Sequence, residues 1–183
     1  MSIISLSLSR DHVFSKTLSP SLKLLPGLGV EGDCHCGETV QHRSRLHIRP
    51  PPKNLRQVHL MDLEILDQFD VRPGDLGENV TTRGLRLLER PTGTKLHFLP
   101  PATRTMTKEP HPVVVLTGLR NPCPQIQKFR SGLQEKFIVR DAERNIVERK
   151  AGVMSTVEVG GVIEVGMQIL VEEPAEFQKL VPV

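Results

Sequence analysis

The sequence predicts a mainly β fold, a barrel with a few short flanking helices. Two observations carry that expectation. Strand signals are short and many while helical periodicity is scarce, and 14 glycines and 15 prolines break a chain of 183 residues into short pieces. That length favours one domain, residues 1–183, with a core of its own.

The elements follow in order. Ile4, Leu6 and Leu8 alternate with Ser5, Ser7 and Ser9, the period of a half-buried strand. Residues 26–37 are rich in glycine and predict a loop of tight turns. Residues 42–49 are basic, and Pro50, Pro51 and Pro52 end that run. Residues 55–60 predict a strand. Asp62 is placed to cap a short helix through Phe69, with Leu63, Leu66 and Phe69 at helical spacing. Residues 73–79 form a second glycine turn. The β-branched run at 113–116 is a strand, and the proline-rich stretch 99–112 before it reads as a surface insertion. From Leu133 onward, turn signals at 143–145, 160–161 and 165–166 separate successive short strands.

Composition removes several function classes. Lys and Arg number 24 against 21 Asp and Glu, and a net charge of +3 is too small to indicate nucleic acid. The chain has no Trp, no Tyr and only 6 Phe, so it has little on which to stack bases. No run approaches a membrane-spanning length. Three cysteines are too few for a disulfide scaffold or a four-thiolate cluster. The expected setting is reducing and intracellular, in the cytoplasm, with no membrane and no nucleic-acid partner.

Four motifs bear on chemistry. Gly27, Gly29 and Gly32 match the dinucleotide fingerprint, but Pro26 precedes them and a Cys- and Gly-bearing stretch follows, which denies the required helix. Asp33, Cys34, His35 and Cys36 crowd possible metal donors together, with His42 and His47 downstream, but cysteines one residue apart are spaced too tightly for a zinc finger. The run holding Arg43 and Arg45 is either a solvated face or an anion site, since guanidinium forks suit phosphate. The stretch around Cys123 is the richest. Pro122 and Pro124 stiffen the backbone on either side, and Pro124 suits the first turn of a helix running to Phe129. Cys123 then stands at a helix start near Arg120, and both favour negative charge on its sulfur.

Together these segments resemble the MOSC family, named for the C-terminal domain of molybdenum-cofactor sulfurase. The matching pieces are Gly32-Asp33-x-His35-x-Gly37, residues 54–60 (Asn-Leu-Arg-Gln-Val-His-Leu), residues 73–79 (Pro-Gly-Asp-Leu-Gly-Glu-Asn), residues 117–123 (Thr-Gly-Leu-Arg-Asn-Pro-Cys) and residues 149–154 (Arg-Lys-Ala-Gly-Val-Met). Cys34 and Cys36 stand outside the pattern. The resemblance implies a MOSC-type β-barrel in a stand-alone member, with a pocket for the molybdenum cofactor.

It also implies that Cys123 is the metal ligand or a sulfur-carrying group, and that the reaction is reduction of N-hydroxylated compounds such as hydroxylaminopurines. Asp33 and His35 are then proton donors or partners that orient other groups. Arg43, Arg45 and Arg120 are candidate phosphate contacts, and Thr117, Asn121, Asp75, Glu78 and Asn79 complete the expected cofactor site. Electrons must come from a separate reductase, and a cofactor sulfurase is a further expected partner. Pyridoxal phosphate is not expected, because it belongs to the desulfurase domain of larger sulfurases. The alternatives are sulfur transfer through a persulfide on Cys123, or a non-catalytic cofactor carrier.

Overall fold

The computed structural model describes every residue except Arg43, Ser44, Arg104 and Thr107. The first half of the chain forms β1 (Ser2–Leu8), β2 (Thr17–Ser19), β3 (Ser21–Leu25), β4 (Gly29–Val30), β5 (Val58–Asp62), α1 (Leu63–Gln68), β6 (Val80–Arg83) and β7 (Lys95–Leu99). The second half forms β8 (Val113–Leu119), α2 (Pro124–Phe129), α3 (Leu133–Lys136), β9 (Ile138–Arg140), β10 (Ile146–Arg149), β11 (Val153–Val159), β12 (Gly161–Glu164) and β13 (Gln168–Glu172).

Seven strands close a barrel in the order β13, β7, β8, β11, β5, β6, β1, with β1 returning to β13 through Ser2 opposite Gln168. The barrel is mixed, because β5 and β6 run parallel while its other pairs are antiparallel. Closure satisfies the backbone groups that an open sheet would leave at its edges. Outside it, β2 extends β1, while β3, β4 and β12 form a small sheet and β9 pairs with β10. The expectation of a mainly β barrel with short flanking helices is met. Among the described residues no helix is long and apolar enough to cross a membrane.

Two apolar clusters form. Ile3, Leu6, Leu60, Val80, Phe98 and Val153 belong to the barrel cluster. Met61, Leu66, Leu76, Ile126, Leu133 and Phe137 form the second, where the helices pack beside the barrel. Burying each such side chain contributes about 1.5–3 kcal/mol. Cys123 and Phe14 pack against the second cluster.

The structure corrects several local expectations. In β1 the residue in the core is Ile3, and Ile4 is only half-buried. A register shift between Ile3 and Ser5 moves the alternation out of phase and brings Ser7 inside. Asp62 does precede α1, yet its side chain makes no cap bond. It accepts instead from Thr82 Oγ1 at 2.9 Å and from the Leu87 amide at 2.7 Å, fastening β6 and the turn after it. Leu133 begins a short helix, not a strand. The glycine fingerprint lies in a strand and turns, with β4 where the nucleotide fold needs a helix.

Gly152 shows how tightly the barrel holds the region of interest. Its φ is +93°, and a Cβ there would meet the Leu60 carbonyl oxygen and stand 2.7 Å from His59 Nε2. Its own carbonyl accepts from the Arg120 amide at 2.9 Å. Gly152→Ala therefore destabilises the fold by about 2–4 kcal/mol, combining backbone strain with overpacking. Urea unfolding monitored by circular dichroism measures this, and an unchanged midpoint would contradict it.

Candidate functional site

A small pocket of about 70 Å³, open to solvent, lies beside Cys123. Phe14, His35, Arg56, His59, Arg120 and Cys123 are among its walls, drawn from segments far apart in sequence. No Asp or Glu lines it among the described residues, whereas Lys16, Arg56 and Arg120 do. The pocket is therefore cationic.

The wall bearing His35 is built from a turn over residues 33–36, closed by a bond from the Cys36 amide to the Asp33 carbonyl at 3.0 Å. The Asp33 carboxylate has no solvent exposure. It accepts from Lys16 Nζ at 2.6 Å, Asn79 Nδ2 at 3.0 Å and the amides of His35 and Ser9 at 3.0 and 3.3 Å. His35 Nδ1 stands 3.3 Å from Asp33 Oδ1. Burial pushes the Asp33 carboxyl up, but the His35 hydrogen bonds and the Lys16 charge outweigh it and hold it well below the usual carboxylate range. Burial pulls Lys16 down against the attraction of Asp33. From behind, Asn54 Nδ2 donates to the carbonyls of His35 and Gly37, each at 2.9 Å. The ring of His35 is thus held from two sides, by an ionised carboxylate and by a pinned main chain.

Two further cations line the pocket, Arg120 and Arg56. Arg120 is buried, and its Nη1 donates to the Leu76 carbonyl at 2.6 Å. Its guanidinium stands 5.9 Å from the centre of the Phe14 ring and shares a hydrogen-bonding contact with Cys123. Burial lowers its pKa, and negative charge on Cys123 and Glu78 opposes that. Arg56 reaches in from the other side, with Nη1 at 3.3 Å from the Val183 carbonyl. Burial, then repulsion from Arg120 and Arg45, brings it down to about 10. Both guanidiniums remain charged at neutral pH, and each disfavours the other.

Cys123 is the N-cap of α2 and Pro124 its first residue, as the prolines predicted. His35, Arg120, Asn121 and Asn79 share the pocket with it. Asn121 Oδ1 accepts from Arg149 Nε at 2.9 Å. Asn79 is engaged on both ends of its amide, donating to Asp33 and accepting from the His59 amide at 3.1 Å. Asp33 lies behind the wall and has no proton to give, so it acts on the pocket through His35 and Lys16. Glu78 is buried behind the wall, where it accepts from the Gly74 amide at 2.6 Å, and its Oε2 has no hydrogen-bond partner.

Three expected contacts lie elsewhere. Thr117 donates to the Leu55 carbonyl at 2.6 Å, away from the pocket. Asp75 pairs with the exposed Arg72 at the glycine turn. Arg45 lines a separate depression with Arg49 and Pro51, although its charge reaches Arg56 and His42. Arg43 lies outside the described residues.

Sequence reasoning missed Lys16, His42, Arg56 and His59 as site residues. Arg56 and His59 stand inside the matched stretch 54–60 and were legible there. Lys16 carried no signal, because only the fold brings it to Asp33.

Two histidines give the site a pH dependence. Burial, then the charge of Arg56, pushes His42 down to about 4. His59, whose Nε2 lies 2.8 Å from the Ala151 carbonyl, is held well below its ordinary value by burial and then by Arg120. The unfolded chain binds protons at these histidines below about pH 6.5, where the folded chain does not, so they cost stability as pH falls. The share of His42 is lost between its ordinary value of 6.5 and about 4, and nothing more below that. His42→Gln should flatten the decline of the urea midpoint across this window relative to the unsubstituted protein. Parallel profiles for the two proteins would contradict the assignment.

No family model matches the chain, and no curated protein matches it. Among solved structures, the backbone is similar to the YuaD protein from Bacillus subtilis, with a TM-score of 0.70 and 21% identity over 94% of this chain and 96% of that one. It is also similar to YiiM from Geobacillus stearothermophilus, with a TM-score of 0.61 and 15% identity over 94% of this chain and 75% of that one. For YiiM from Escherichia coli the TM-score is 0.57 and the identity 16%, over 98% and 73%. At these identities the likeness establishes the fold alone: over nearly its whole length the chain shares the β-barrel backbone of these structures.

Proposed function

We propose that the pocket binds the molybdenum cofactor through Cys123 and that the chain reduces N-hydroxylated compounds there. The observation that carries this reading is the presence of Arg56 and Arg120 in a pocket with Cys123 and, among the described residues, no carboxylate on its walls. Two like charges held together in partial burial need an anion to offset their repulsion. A phosphate accepts from both forks, and a thiolate is a soft ligand suited to a sulfur-rich metal centre. The donor set therefore fits a phosphorylated, metal-bearing cofactor.

The redox chemistry supplied by that group, when bound, is two-electron removal of the oxygen from N–OH, giving the amine and water. The chain does the rest. Arg56 and Arg120 seat the phosphate, and Cys123 fixes the metal. Phe14 covers one side of the pocket and limits the access of water. His35 is placed to deliver a proton to the departing hydroxyl, with Asp33 orienting its ring. The electrons come from a separate reductase, since the glycine fingerprint lacks its helix.

Cys123→Ser keeps the volume but replaces a thiolate donor with a hydroxyl that stays protonated. Its far-ultraviolet circular dichroism should match the parent, while hydroxylaminopurine reduction with a supplied reductase falls about 100-fold or more. An unchanged rate would overturn the assignment of Cys123. A persulfide on Cys123 in place of bound metal, detected by mass spectrometry, would make the chain a sulfur carrier instead.

Arg56→Gln tests the anion seat separately. A lost charge-assisted contact of about 1.5–3 kcal/mol corresponds to roughly 10–100-fold weaker cofactor retention. Equal retention through gel filtration, read by pterin fluorescence, would remove Arg56 from the site.

A further inference from the structure

We propose a second metal site, separate from Cys123, in which His12, Cys34 and His35 bind a zinc-class divalent ion at the pocket's edge. The donor atoms of these three residues all lie within 4.8 Å of one another. Cys34 Sγ is 3.2 Å from His35 Nδ1. Tetrahedral bonds of about 2.3 Å to sulfur and 2.0–2.1 Å to nitrogen place neighbouring donors roughly 3.5 Å apart. The Cys34–His35 contact is close to that value, and the donors of all three residues lie within side-chain reach of a shared ion.

The main chain is what makes this a built site. Cys34 and His35 are the two central residues of the turn over residues 33–36, so their side chains leave the same tip. The Cys34 amide donates to the Ser9 carbonyl at 2.8 Å, and the Ser9 amide returns a bond to Asp33 Oδ2. This double clip lays the segment carrying His12 beside the turn, and the His12 and His35 rings meet edge to face with centres 5.6 Å apart.

Two imidazoles and one thiolate form a borderline-soft donor set suited to zinc. Three protein donors leave one position for water or a ligand atom, the pattern of reactive zinc sites as opposed to closed structural ones. Because His35 also lines the pocket, the ion stands next to any bound substrate, and while the ion is bound its water, in place of the His35 ring, supplies the proton there. The sequence crowds Cys34 and His35 together as possible donors, but His12 comes from a distant segment that no spacing links to them.

The test is titration of the metal-free chain with cobalt(II), followed by displacement with zinc. With no Trp or Tyr, the near-ultraviolet is open for the thiolate-to-cobalt charge-transfer band. The expected result is saturation at one equivalent, with a charge-transfer band and tetrahedral visible bands that zinc abolishes. Cys34→Ser should lose the charge-transfer band. His12→Gln should weaken cobalt affinity about 100-fold or more, exceeding the cost of losing an outer partner. Cys36→Ser and Cys123→Ser should keep the spectrum, which separates this site from the proposed cofactor pocket. Absence of a thiolate band in the parent protein would overturn the proposal. So would its survival in Cys34→Ser or its loss in Cys123→Ser.

Discussion

The carboxylate of Asp33 is the contact on which the pocket depends. It gathers Lys16, Asn79, His35 and Ser9, which otherwise belong to separate parts of the chain. An isolated carboxylate without solvent would cost many kcal/mol, so the group is stable only with those donors in place. The constraint runs both ways. A buried charge that needs this many partners fixes the turn over residues 33–36 against the end of β1 and against the glycine turn before β6. Removing one donor leaves charge uncompensated, which is far more costly than losing an exposed ion pair.

That internal pairing also sets the sign of the pocket. Asp33 spends its negative charge on Lys16 behind the wall, and Glu78 is similarly withdrawn behind it. Arg56 and Arg120 are left facing the space in front of Cys123 with each other for company. Barrel closure supplies the rigidity this needs. Arg120 follows β8 directly and is tied to Gly152 at the start of β11, while His59 sits in β5 against Ala151. Three successive strands, β8, β11 and β5, therefore hold the cation and the histidine in fixed relation.

The barrel was legible because its signals are local. Alternating residues mark β1, β-branched residues mark β8, and glycines with prolines mark the turns. Register was not, because the shift after Ile3 depends on what β6 presents to β1. At the site, Cys123 could be read from its own prolines and from the helix they start. His35 and Arg120 came with matched motifs. Lys16 and His12 could not be read, because each acquires meaning only through a contact between segments that no spacing rule links. Thr117 and Asp75 show the reverse case. Each lies within a matched stretch, yet one side chain turns to Leu55 and the other to Arg72.

The central claim is that the positive charge beside Cys123 is a seat for an anionic, metal-bearing cofactor. Its most direct test is the molybdenum and pterin content of the unsubstituted protein, purified from molybdate-fed cells that make the cofactor. The account predicts molybdenum and pterin in equal amounts, approaching one of each per chain. A fully folded chain that carries neither, under conditions where another molybdenum protein in the same cells is loaded, would contradict it.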